Sequence, residues 1–202
     1  YNLLLDILVD IFGILFLVYS FSIILFYLTM TVLSALEMRD HLKKNKFADY
    51  RDVITSPVTP GISVIAPAYN EGQNIVQNAK SLLTLHYGKY EVIIVNDGSK
   101  DDSLQKMIES FDLVKTKYAY YKHVETGNIR GVYKSTNSSY AKLTLVDKEN
   151  GGKADALNAG INIAGFEILA CIDVDCILSS DSLTRMVRPF MEETNRKVIA
   201  VG

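Results

Sequence analysis

Two carboxylates separated by one residue, Asp173 and Asp175, follow directly after an apolar run at 167–172. A run this apolar is typical of a buried strand, so charged side chains are expected only where the strand ends. Two carboxylates at this spacing can share one hard cation with a phosphate, because such cations prefer oxygen ligands. The pair predicts a divalent-cation site, and a turn or helix start is the simpler alternative.

Three further polar segments follow apolar runs, namely "PAYNEG" at 67–72, "NDGSKDD" at 96–102 and "DKENGGKAD" at 147–155. They contain four more side chains that could bind an anionic ligand such as a nucleotide: Tyr69, Glu71, Asp97 and Lys153. The lysine stands at a predicted helix start, where a point positive charge suits a diphosphate. Turn, capping and solvated-surface roles are the alternatives for these four residues.

Short apolar runs that alternate with helical segments must position these polar residues. Five strands are predicted: 62–66, 91–95, 142–146, 167–172 and 197–201. Four helices are predicted: 73–85, 101–117, 153–164 and 180–194. This alternation indicates an α/β domain with a mostly parallel, Rossmann-like sheet covered on both faces. Since ligands bind at the carboxyl ends of parallel strands, all four polar segments are expected at one edge.

The segment 118–141 interrupts the alternation and is rich in tyrosine, asparagine and serine. Its composition predicts one extra strand near 118–124 and a mobile loop. Long loops are often functional, so the segment is interpreted either as a surface excursion or as a part that grips substrate.

The N-terminal part of the chain has a different composition from the rest. The 26 residues from 11 to 36 carry no charge, and as a helix they would extend about 39 Å. A bilayer core is about 30 Å thick, and a secretory signal normally begins with basic residues, whereas this segment follows Asp6 and Asp10. Residues 1–36 are therefore predicted to form a transmembrane helix with a short flank.

Basic residues are found only on the C-terminal side of this segment, beginning at Arg39. The positive-inside rule then places the C-terminal body in the cytoplasm, anchored to the cell's inner or plasma membrane. Residues 37–60 form a basic juxtamembrane connector, either an interfacial helix or a solvated linker. A net charge of −2 argues against nucleic acid as a partner. In a reducing compartment, Cys171 and Cys176 are interpreted as small core residues.

Four segments occur in the order "SVIAPAYNE", "EVIIVNDGS", "ENGGKADALNAG" and "CIDVD". In this series the chain resembles family 2 glycosyltransferases, which have the nucleotide-sugar-binding GT-A fold. The resemblance covers 62–201. With its membrane helix and these motifs, the chain is similar to processive synthases that polymerise UDP-sugars into poly-N-acetylglucosamine, hyaluronan or cellulose.

The resemblance implies a role for each motif residue. Tyr69 and Glu71 would line the nucleoside pocket, and Asp97 would accept a hydrogen bond from uracil. Lys153 would lie near the phosphates, with Asn158 in a supporting turn of helix. Asp173 would contact the ribose or sugar side of the donor. Asp175 would bind the Mg²⁺ or Mn²⁺ that bridges the diphosphate.

The implied reaction is inverting, metal-dependent glycosyl transfer from a UDP-sugar donor to a glycan or lipid-linked acceptor. The family's later motifs, a TED-like carboxylate and Gln-x-x-Arg-Trp, are not found, and the chain has no tryptophan. The domain at 61–202 is therefore expected to be a partial GT-A domain, truncated on its C-terminal side and inactive alone. The catalytic base is expected beyond residue 202. Single addition to a lipid-linked acceptor and a non-catalytic, membrane-tethered nucleotide-binding protein are the alternatives.

Overall fold

A computed structural model describes residues 2–46, 59–191 and 198–201. The chain divides into two compact units, Tyr1–Asp49 and Tyr50–Gly202. The first unit is a single helix, and the second is an α/β domain.

Helix α1 spans Asn2–Lys46 and includes the uncharged segment. A stretch of 35 residues, Leu5–Arg39, is apolar enough to cross a membrane, with a mean hydropathy of 2.4. Large apolar side chains along this stretch are exposed, which is costly in water and favourable in lipid. The hydroxyls of Ser22, Thr29 and Thr31 each donate to the carbonyl four residues earlier, so they need no water.

The α/β unit is built on a six-stranded sheet: β1 (Ile62–Ala68), β2 (Tyr90–Asp97), β3 (Leu113–Thr116), β4 (Ile129–Ser135), β5 (Leu143–Lys148) and β6 (Ile168–Cys171). The strand order is β3-β4-β5-β2-β1-β6. The neighbouring pairs β5–β2, β2–β1 and β1–β6 are parallel, while the pairs β3–β4 and β4–β5 are antiparallel. The predicted α/β class with a mostly parallel sheet is confirmed.

Four helices cover the two faces of this sheet: α2 (Ile75–Leu83), α3 (Ser103–Ser110), α4 (Lys153–Ile163) and α5 (Ser182–Met191). Apolar residues of α2, α3 and α5 share one core cluster with alternate residues of the strands. Residues of α4 pack in a second cluster with the intervening residues of the strands. Since successive side chains of a strand point to opposite faces, continuous apolar runs such as "EVIIV" supply both clusters.

The region after β2 differs from the prediction. The helix predicted at 101–117 ends at Ser110, because Asp112 adopts a left-handed backbone conformation with φ 51 and the chain turns into β3. Residues 118–124, all of which the structure describes, form no strand, and the additional strand of this region is β4. The prediction placed the strand too early because tyrosine-rich composition favours strands without showing which segment has a pairing neighbour.

At the C-terminal end, α5 covers the described part of the predicted helix at 180–194. Residues 198–201, the described part of the predicted strand at 197–201, are not in a strand. Apolar β-branched residues permit a strand, but a strand forms only where its backbone groups find partners.

Candidate functional site

A cleft of about 440 Å³ opens at the carboxyl edge of the parallel strands. It is lined by residues of all four polar segments: Pro67, Ala68, Tyr69, Glu71, Asp97, Asn150, Gly152, Lys153 and Asp173. The cleft therefore brings together the five residues that the sequence singled out for nucleotide-sugar binding.

Asp97, the last residue of β2, forms the buried wall of the cleft and is 3% exposed. Its Oδ1 accepts hydrogen bonds from Lys148 Nζ at 2.8 Å and from the Gly151 backbone N–H at 3.0 Å. Its Oδ2 accepts from the Gly152 N–H at 2.8 Å. Asp97 also fixes the loop through its backbone, because its carbonyl accepts from Asn150 Nδ2.

Lys148, at the end of β5, has a fully buried side chain beneath this wall. Its ammonium forms ion pairs with Asp97 at 2.8 Å and with Asp155 Oδ2 at 2.5 Å, and it donates to the Glu149 carbonyl. Burial alone would lower the pKa of Lys148, but the hydrogen bonds and charges of Asp155 and Asp97 raise it. Sequence reasoning missed this residue, because a lysine between Asp147 and Glu149 resembles a solvated loop residue.

The loop after β1, which carries Tyr69 and Glu71, is hydrogen-bonded to the loop after β2. Asn70 has a left-handed backbone with φ 56, and its side-chain oxygen accepts from the Lys100 N–H at 2.8 Å. The Gly72 N–H donates to Asp101 at 2.8 Å. Desolvation would raise the pKa of Asp101, but hydrogen bonds from Ser103 and Gly72 lower it. These contacts hold the two loops at a constant separation on that side of the cleft.

Lys153 begins α4 directly after Gly152 and forms an ion pair with Asp173. Both side chains are more than half exposed, at 63% and 51%. The hydrogen bond and the charge of Asp173 raise the pKa of Lys153, and Asp175 adds to this. The ammonium is therefore charged at neutral pH and lies at a helix N-terminus, where an anion is stabilised.

Asp175 does not line the cleft but lies beside it. The ligating atoms of Asp173, Asp175 and Cys176 all lie within 4.8 Å of one another, and all three residues are exposed. Two carboxylates fit a hard cation such as Mg²⁺ or Mn²⁺, which keeps some water and substrate oxygens as further ligands.

The prediction that both cysteines are core residues is wrong, because Cys171 and Cys176 are exposed. Cys171 ends the edge strand β6, which has a neighbouring strand on only one side among the described elements. Sequence reasoning did not place Cys176 beside the two aspartates, although it directly follows them.

Helix α4 fixes the segment 123–128 through polar side chains on one face. The buried Asn162 accepts from the backbone N–H groups of His123 and Val124, and Asn158 donates to the Glu125 carbonyl. Asp155 accepts from the Gly127 N–H at 2.9 Å. Polar residues at 155, 158 and 162 share a helix face, so their spacing is the signal that could have revealed this contact. The predicted loop is thus hydrogen-bonded to α4 over this segment.

The family model described as "Glycosyl transferase family 2" matches residues 63–201, which include the whole cleft. A poly-beta-1,6-N-acetyl-D-glucosamine synthase of Staphylococcus epidermidis is 31% identical over 142 residues, covering 70% of this chain and 27% of that protein. The protein of the same name from Staphylococcus aureus strain COL is 31% identical over 133 residues, with 66% and 26% coverage. The chain thus spans about a quarter of the length of these curated relatives.

Two solved structures are also similar to the chain. The mannosyltransferase PcManGT from Pyrobaculum calidifontis, in complex with GDP-Man and Mn²⁺, has 24% identity and a TM-score of 0.49, covering 71% of this chain and 38% of that one. S. aureus TarS 1–349 in complex with UDP-GlcNAc has 21% identity and a TM-score of 0.47, with 65% and 31% coverage.

Proposed function

The chain belongs to glycosyl transferase family 2, and from this membership we propose that its cleft binds the nucleotide part of a UDP-sugar. The complete protein would be a membrane-anchored, metal-dependent, inverting glycosyltransferase that builds or extends a polysaccharide. The observation that carries the proposal is the meeting of five residues from four separate loops in one cleft: Tyr69, Glu71, Asp97, Lys153 and Asp173.

Each side chain is assigned the role that the family resemblance implies, and its place in the cleft supports that role. Tyr69 is 45% exposed and offers an aromatic face to a base, with Glu71 beside it. Asp97 accepts a hydrogen bond from the base. At the other end, Lys153 binds the diphosphate, while Asp173 contacts the ribose or sugar side of the donor.

The donor set beside the cleft supports a divalent cation, Mg²⁺ or Mn²⁺, held by Asp175 next to Asp173. Neutralisation of charge on the diphosphate, and hence stabilisation of the departing UDP, is the chemistry that such a cation supplies. Lys153 pairs with Asp173. An incoming diphosphate would compete for this ammonium and leave the Asp173 carboxylate available to the donor.

In the transfer itself, an acceptor hydroxyl oxygen bonds to the anomeric carbon and its proton passes to a general base, while the bond from that carbon to the diphosphate oxygen breaks and UDP leaves. Because the staphylococcal relatives are poly-beta-1,6-N-acetyl-D-glucosamine synthases, N-acetylglucosamine is the first sugar to test. The acceptor is a glycan or a lipid-linked sugar, and the length of the product distinguishes a polymerase from a single-addition enzyme.

The remaining parts of the chain support a membrane location. Residues 1–36 would form the anchor, 37–60 the basic connector and 61–202 the donor-binding part of the glycosyltransferase domain. The helix Asn2–Lys46 is long enough to carry the connector's first basic residues beyond a bilayer core. By the positive-inside rule, lysine and arginine on that side of the anchor support a cytoplasmic location for the glycosyltransferase domain, at the inner or plasma membrane.

Calorimetric titration of the full chain in detergent tests the proposal. UDP is expected to bind at least about tenfold more tightly than ADP, and added Mn²⁺ is expected to raise its affinity about tenfold. Asp175→Asn should abolish the gain from Mn²⁺. Asp181→Asn is the matched control, because Asp181 pairs with Arg185 and does not line the cleft. Equal or tighter binding of ADP, or an unchanged Mn²⁺ effect in Asp175→Asn, would refute the assignment.

A further inference from the structure

The contacts of Asp97 leave it very little freedom to accept another hydrogen bond. An ionised carboxylate has about four lone-pair sites. Lys148 and the Gly151 N–H occupy both sites of Oδ1, and the Gly152 N–H occupies one site of Oδ2. One site on Oδ2 remains, in a residue that lines the cleft. The carboxylate can therefore accept one donor from a ligand.

A single acceptor site discriminates between nucleobases by the proton on the ring nitrogen. Uracil has an N–H donor at N3, whereas the corresponding ring nitrogens of cytosine and adenine are acceptors. A ring nitrogen that is an acceptor would place its lone pair against a lone pair of the buried Oδ2. This arrangement costs more binding free energy than the loss of a solvent-exposed contact. The orientation of Asp97 therefore distinguishes uracil from bases whose corresponding ring nitrogen is an acceptor, namely cytosine and adenine.

Lys148 determines that orientation from beneath the cleft. An ammonium has three donors, and each of the three has a partner, namely Asp97 Oδ1, Asp155 Oδ2 and the Glu149 carbonyl. With its side chain fully buried and all donors used, the ammonium has one position. It holds Oδ1 of Asp97, so a further donor can use only the remaining site on Oδ2.

We propose that Lys148 is a positioning residue for nucleobase recognition, which holds Asp97 so that one carboxylate oxygen faces the ring N–H of uracil. The inference rests on the proposed function, because it concerns the same cleft. A buried ion pair is weak evidence for stability, since well-packed apolar residues often replace such pairs without loss. Its position directly behind Asp97 supports a role in specificity.

The test compares UDP with its N3-methyl derivative, which has a methyl group in place of the ring N–H. The wild-type full chain in detergent is expected to bind 3-methyl-UDP at least about tenfold more weakly than UDP. In Lys148→Met this ratio should fall below about threefold, because Asp97 loses its charged partner and keeps only its contacts to the Gly151–Gly152 loop. Lys142→Met is the matched control at the opposite end of the same strand, where Lys142 lies over the Tyr90 ring, and it should keep the wild-type ratio.

The ratio of the affinities for UDP and 3-methyl-UDP distinguishes a positioning role of Lys148 from a structural role. If Lys148→Met binds both ligands more weakly but keeps the ratio of about tenfold, Lys148 only stabilises the fold and the inference is wrong. If Lys148→Met does not fold, the same measurement is made on Lys148→Gln, which keeps a hydrogen-bond donor to Asp97 without the charge. Lys148→Gln should give an intermediate ratio. A wild-type chain that binds ADP as tightly as UDP would instead refute the proposed function.

Discussion

The two groups of residues that the proposal assigns to the nucleoside and to the diphosphate are built in opposite ways. At the proposed nucleoside end, Asp97 is buried, and a buried lysine and two backbone N–H groups occupy three of its acceptor sites. At the diphosphate end, Lys153, Asp173 and Asp175 are exposed, and the ion pair of the first two is surrounded by solvent. One end is organised by the fold, and the other depends on charges that water screens.

This difference indicates how the cleft would divide binding between its ends. A preorganised acceptor loses little freedom when the base binds, so it contributes specificity. Exposed charges contribute attraction for a polyanion and can rearrange around it. The comparison therefore predicts that substitutions at the nucleoside end change the free energy of unfolding, whereas those at the diphosphate end change only binding.

The largest effect is expected for Asp97→Ala, which leaves the buried ammonium of Lys148 with one carboxylate partner. Removing one member of a buried pair costs about 3–5 kcal/mol. Urea denaturation followed by tyrosine fluorescence measures this, because the chain has 12 tyrosines and no tryptophan.

Glu109→Ala, at an exposed position of α3, is the control and should change stability by less than about 0.5 kcal/mol. The double variant Asp97→Ala with Lys148→Met should lose less than the sum of the single changes, because the two residues interact directly. An additive double variant would contradict the organised nucleoside end.

A smaller effect is expected for Gly98→Ala, directly after Asp97. Gly98 has φ 65, and an added Cβ would lie 2.7 Å from the Asn150 backbone nitrogen. Because that neighbour is backbone and is held by Asp97, we expect a loss of about 2 kcal/mol. Gly127→Ala is the comparison: its Cβ would lie 3.2 Å from a carboxylate oxygen of Asp155, which can shift. Gly127→Ala is expected to lower the free energy of unfolding by less than about 1 kcal/mol. Equal losses in the two variants would show that the loop at Gly98 accommodates a Cβ as easily as Asp155 does.

Asp101→Asn tests the loop contact beside the nucleoside end through pH. The pKa of Asp101 lies below its usual 3.8, so its contribution is present above that pH and is lost as pH falls through the lowered value. We expect Asp101→Asn to cost about 1 kcal/mol at neutral pH, after allowance for solvent exposure. The difference from wild type should shrink in unfolding measurements below about pH 3.8 and should not grow.

The smallest effect on stability is expected at the diphosphate end. Asp175→Asn should change the free energy of unfolding by less than about 0.5 kcal/mol, because its side chain is exposed. The same variant should lose the Mn²⁺-dependent gain in UDP affinity. A loss of stability comparable to that of Asp97→Ala would remove the distinction between the two ends.

Much of the candidate site could be predicted from local sequence. Asp97, Lys153 and Asp173 each follow an apolar strand, and the carboxyl ends of parallel strands meet at one edge. The region between β2 and β5 was predicted less well. Asp112 ends a helix that the sequence pattern continues, since an aspartate in a left-handed conformation is not visible as a break in hydrophobic period.

The sequence by itself determined the apolar N-terminal helix, the alternation of strands and helices, and which polar segments share an edge, because these depend on composition and period along the chain. Only the tertiary structure decided that Lys148 is buried between Asp97 and Asp155. The lysine and Asp97 lie 51 residues apart and meet because β2 pairs with β5 in one register. The environment of a charged group depends on such non-local pairing, so local pattern cannot show whether the group is solvated or holds another residue in place.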